Sequence, residues 1–106
     1  MTDVKLSRTY EAHGTAFSSV SLRAPTLVDL FAIGEPIEVH PGPDGSGSYV
    51  LQHRDRLRAY LDQLAVPDKP GLHAIQGLDL VDAMAIEEAI LGFFTAARRQ
   101  LSKPTR

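Results

Sequence analysis

Leu22-Arg23-Ala24-Pro25-Thr26-Leu27-Val28-Asp29-Leu30 is the stretch in which the chain changes its period. Upstream of it Ala16, Ser18, Val20 and Leu22 share one face while Phe17, Ser19 and Ser21 share the other, the two-residue repeat of a strand. Ala24-Pro25 breaks that repeat, because proline offers no N–H to a ladder. Thr26, followed three residues later by Asp29, has the form of a capping box, and Leu27, Leu30 and Phe31 come next. A strand therefore hands over to a short helix that ends near Gly34.

Working outward, Val4 to Tyr10 alternates between apolar and polar as far as Arg8, and Glu11-Ala12-His13-Gly14 reads as a turn. The first 22 residues thus form an antiparallel hairpin. In residues 35–53, prolines and glycines interrupt two short apolar stretches, Ile37 with Val39 and Tyr49 with Leu51, which reads as a second, flexible hairpin. Beyond it Asp55 is the expected cap of a helix whose Leu57, Tyr60, Leu61 and Leu64 fall on one stripe. Pro67 and Pro70-Gly71 end it, Leu72 to Gln76 makes a single turn, and Asp79 is the expected cap of a long helix from Leu80 to about Gln100. The expected fold class is α+β, one domain over residues 1–106 with N-terminal antiparallel β-hairpins followed by a helical C-terminal half.

Bulk properties narrow the function. A chain of 106 residues has room for one modest core. A net charge of -2 lacks the basic excess that non-specific nucleic-acid binding requires, so no nucleic-acid partner is expected. With no cysteine there are neither disulfides nor thiolate metal sites, and a cytoplasmic location fits. The polar start and the absence of a long apolar run give no expectation of a signal peptide or of a membrane partner.

Candidate chemistry is sparse. His13, His40, His53 and His73 sit in four segments without metal-ligand spacing, and Asp44-Gly45-Ser46-Gly47-Ser48 has neither the Gly-Lys-Ser/Thr of a P-loop nor EF-hand carboxylates. Asp79, Asp82, Glu87 and Glu88 are read as capping and solvated acids, and no serine lies in a Gly-x-Ser-x-Gly turn. No enzyme activity and no cofactor are expected. The last helix is different. Ala83, Ile86, Ile90, Phe93, Phe94 and Ala97 make one stripe, and Met84 and Leu91 widen it beyond the needs of a small core, with Arg98 and Arg99 beside it. Met84, Leu91, Phe94, Arg98 and Arg99 are accordingly the candidate partner-binding residues, on a face that could serve the core, self-association, or both. A short basic tail occupies residues 101–106.

The order of these signals, with Leu22-Arg23-Ala24-Pro25-Thr26 running into Leu27-Val28-Asp29-Leu30, then Leu78-Asp79-Leu80-Val81-Asp82 and an aliphatic helix Ile86 to Phe94, resembles the tail assembly chaperones of long-tailed bacteriophages. The longer Gly/Pro-rich hairpin and a first strand without proline depart from that pattern. The resemblance implies a cytoplasmic, non-catalytic helper in phage or prophage tail assembly. It would coat the tape-measure protein, keep it soluble, associate with itself, and be absent from the finished tail. A structural tail or connector subunit is the alternative that shares size and α+β content.

Overall fold

The computed structural model describes residues 1–45 and 47–102. Strands β1 (Thr2–Ala12) and β2 (Thr15–Leu22) form the first hairpin, followed by helix α1 (Leu27–Ile33). Strands β3 (Ile37–Pro41) and β4 (Ser48–Gln52) form the second, and helices α2 (Arg54–Leu64), α3 (Leu72–Ile75) and α4 (Leu80–Ser102) complete the chain. Each hairpin is a separate two-stranded antiparallel sheet, so the fold is α+β with its strands in the N-terminal half.

The hairpin alternation is realised as a buried row of Val4, Leu6 and Tyr10 on β1 against Val20 and Leu22 on β2. The register slips between Lys5 and Tyr10, where β1 carries extra residues. That irregularity releases the backbone N–H of Ser7 from the ladder, and it donates instead to Asp82 of α4 at 2.8 Å. The far end of β2 is held by the strand-like segment after α2. Arg23 N–H donates to Leu64 O, Val66 N–H to Ser21 O and Ser21 N–H to Lys69 O, each at 2.9 to 3.0 Å. Both sides of Leu22 are consequently covered, and it is fully buried.

Helices α2 and α4 close the core with Leu57, Tyr60 and Leu64 from one and Ile86, Ile90 and Phe94 from the other. Three sequence expectations change here. Phe94, expected on a docking face, is 9% exposed and packs edge-to-face on Tyr60 at 4.9 Å between ring centroids. Leu91 is half-buried against the same core, so the wide stripe is spent largely on packing. Asp55 lies inside the first turn of α2, whose cap is His53. The extended conformation of His53 follows from its place at the end of the hairpin, where its N–H donates to Pro36 O.

The second hairpin projects from this body. The radius of gyration is 15.9 Å, against about 13 Å for a compact chain of this length, and the long axis is 54 Å. No helix among the described residues is long and apolar enough to cross a membrane. Residues 103–106 of the basic tail lie outside the described residues.

Candidate docking surface

Helix α1 is built the wrong way round for a surface helix. Its buried residue is Asp29, 5% exposed, while Val28 and Phe31 are 75% and 80% exposed and Leu27 is also largely in solvent. The cause lies in the preceding loop. Arg23 leaves the end of β2 and grips Asp29 with both terminal nitrogens, at 2.8 and 3.0 Å. Asp29 also accepts the Thr26 N–H at 2.8 Å and the Thr26 hydroxyl at 3.1 Å. These bonds, with the Arg23 guanidinium foremost, hold the Asp29 carboxyl well below the usual carboxylate range despite its burial. With the carboxylate fixed inward, Ile33 four residues on shares that side and packs against the core, while Leu27, Val28 and Phe31 on the remaining sides stay exposed.

Between α1 and the C-terminal half of α4 runs an apolar groove of about 510 Å3. Pro25, Leu27 and Leu30 form one wall and Phe93, Ala97 and Leu101 the other, with Glu35 and Arg98 at the rim. Arg98 is ion-paired with Glu35 across that rim. Arg99 is exposed in the last turn of the helix. Met84 is 56% exposed beside exposed Leu80 and Val81, but it stands 14 residues from Arg98, roughly 21 Å along the helix. Of the sequence candidates, then, Arg98 borders the groove, Arg99 follows it, Leu91 and Phe94 belong largely to the core, and Met84 marks a separate patch at the other end of α4.

The polar clusters elsewhere are structural in geometry. Buried Asp82 accepts Ser7 N–H and Ser7 Oγ at 2.8 Å each and Tyr10 OH at 2.5 Å, fastening α4 to β1. The Tyr10 hydrogen bond leads the contacts that lower the Asp82 carboxyl, against the opposing effect of burial. Asp79 offers its carbonyl to Asp82 and Ala83 N–H at the helix start, while its carboxylate pairs with Arg8 at 2.9 Å. Glu38 binds His40 and His53 at 2.9 and 2.7 Å, with Arg56 3.4 Å away, and His40 leads the partners that pull its carboxyl below the ordinary value. His13 and His73 stack at 5.0 Å. Four histidines that the sequence scatters thus become two local pairs, a proximity that spacing along the chain could not reveal.

Sequence reasoning also missed Leu27, Val28 and Phe31 as surface residues. Their exposure follows from the burial of Asp29 against Arg23, a pairing that the local capping-box spacing does not by itself reveal. Compared with known proteins, the chain matches no family model, no curated protein and no solved structure.

Proposed function

We propose that this chain is a non-catalytic assembly chaperone of the phage-tail kind, which holds an amphipathic helix of the tape-measure chain in the groove between α1 and α4 and keeps that chain soluble in the host cytoplasm. The observation that carries the reading is the inverted helix α1, charged inside and apolar outside. A folded domain gains nothing for its own core by leaving Leu27 63% exposed on the groove wall, with Val28 and Phe31 also exposed on the same short helix, and exposed apolar surface of this kind marks a place for a partner. The segment that builds the inversion, Arg23 to Asp29, is the segment whose sequence resembles the tail assembly chaperones.

The partner chemistry follows from the groove. A helix with an apolar stripe would lay that stripe between Leu30 and Phe93, with its flanking charges near Glu35 and Arg98. A tape measure is a long helical chain whose stripes have no cover until the tail polymerises around it, and bare stripes aggregate. Weak sites on many copies would act together along one such chain. Co-expression tests this directly. The parent domain should keep the tape-measure chain of its own locus in the soluble fraction, and failure to do so under conditions where the domain is folded would remove the reading.

A further inference from the structure

The sheet of the second hairpin ends at an open edge. Among the described residues β3 and β4 pair with each other alone, and every residue of β4 is exposed. The direction of each backbone group follows from the bonds at the two ends of the hairpin: His53 N–H donates to Pro36 O at 2.8 Å, and Gly42 N–H to Gly47 O at 3.1 Å. With Glu38 opposite Leu51, Val39 opposite Val50 and His40 opposite Tyr49, hydrogen-bonded pairs fall at Glu38/Leu51 and His40/Tyr49. The N–H and C=O groups of Ser48, Val50 and Gln52 therefore point away from β3. On the other edge the corresponding residues are Ile37, Val39 and Pro41, and Pro41 has no N–H. Prolines and charges are the usual protection of a sheet edge, and β4 has neither.

We propose that β4 pairs antiparallel with β4 of a second copy of this chain, about a twofold axis at Val50, to give a four-stranded sheet ordered β3-β4-β4-β3. In that register Val50 meets Val50, Ser48 meets Gln52 and Tyr49 meets Leu51 of the second copy. Every outward N–H and C=O of the strand is then used. Sliding by two residues either way would set Val50 against Ser48 or Gln52 and leave an outward group without its partner. The side chains agree with the backbone. Val39 and Val50 are directly paired and exposed on one face, so the twofold joins them into a row of valines crossing all the strands. On the other face the Tyr49 and Leu51 pairs fall at non-hydrogen-bonded positions, where side chains come closest. The strand is uncharged, so self-pairing brings no like charges together. An isolated hairpin of five-residue strands is marginal in water, and doubling it supplies the missing strands.

The test uses the full chain and two prolines. Because the N–H groups of Val50 and Val39 both point away from their own hairpin, Val50→Pro and Val39→Pro each delete an outward donor without touching the internal ladder. In sedimentation equilibrium the parent and Val39→Pro should dimerise alike, and Val50→Pro should raise the dimer dissociation constant about tenfold or more. A parent that remains monomeric at high concentration, or a natively folded Val50→Pro that dimerises like the parent, overturns the proposal. If circular dichroism shows that Val50→Pro has lost its native fold, single cysteines decide, since the chain has none of its own. Val50→Cys on the axis, with Cα atoms about 5.5 Å apart, should oxidise readily to a covalent dimer, and Val39→Cys should not. Equal rates of cross-linking would refute the twofold at Val50.

Discussion

Arg23 and Asp29 face each other across the turn between β2 and α1, with both terminal guanidinium nitrogens on the two carboxylate oxygens at 2.8 and 3.0 Å. This pair converts the end of a strand into the start of a helix and decides which side of that helix is outward. Asp29 is depressed in the folded state, so its contribution is fully present above the unfolded carboxylate value of about 4 and is lost as pH falls through its lower folded value. Asp29→Asn removes the charge and retains the shape. We expect a melting temperature lower by roughly 5 °C at pH 7. The gap should shrink steadily as both proteins are taken below pH 4. A constant gap across that range, by circular dichroism melts, would show that the charge is irrelevant.

The hairpin and the helical half were legible because period and capping are local. Val4, Val20 and Leu22 share a strand repeat, and Thr26 with Asp29 is a spacing within one turn. The candidate site was not legible in the same way. Whether Phe94 lies inward depends on the ring of Tyr60, which sits on another helix, and the stripe of α4 looks equally wide whether α2 covers it or not. The same limit hid the Ser7, Tyr10 and Asp82 cluster, in which Asp82 lies more than 70 residues from the other two and meets them only because β1 runs along the start of α4.

Core and surface positions on α4 should separate cleanly in stability. Phe94→Ala removes a packed ring and should cost about 3–5 kcal/mol in denaturant unfolding, whereas Met84→Ala, more than half exposed, should stay within about 0.5 kcal/mol. Similar losses at the two positions would contradict the burial of Phe94 against Tyr60.

Asp82 offers a second check on how α4 is fastened. Asp82→Ala leaves the Ser7 N–H and hydroxyl and the Tyr10 hydroxyl without their common acceptor, near a buried face. Its melting temperature should fall by roughly 10 °C. Because the Asp82 carboxyl is also held low in the folded state, the loss should be largest above pH 4 and fade in acid. Hydrogen exchange should accelerate first at the N-terminal turns of α4 and in β1 around Ser7. Uniform acceleration across α2 as well would place the cluster in the global core instead.

Docking in the groove is tested most sharply at α1. Leu27 is exposed on the groove wall and the helix is held by Asp29, so Leu27→Asp should leave the fold intact, with native circular dichroism and a melting temperature within a few degrees of the parent. That substitution should nevertheless weaken binding of the tape-measure chain. Replacing an apolar wall residue by a carboxylate removes apolar contact and places a charge where the bound helix excludes water, and about a tenfold loss or more is expected for Leu27→Asp. Arg98→Glu at the rim should act differently, slowing association and changing its salt dependence more than the final affinity. Met84→Asp serves as the contrast, because Met84 lies roughly 21 Å along α4 from Arg98, away from the groove. If Met84→Asp abolishes binding while folded Leu27→Asp binds as the parent does, the partner sits at the other end of α4 and the α1 groove is not its site.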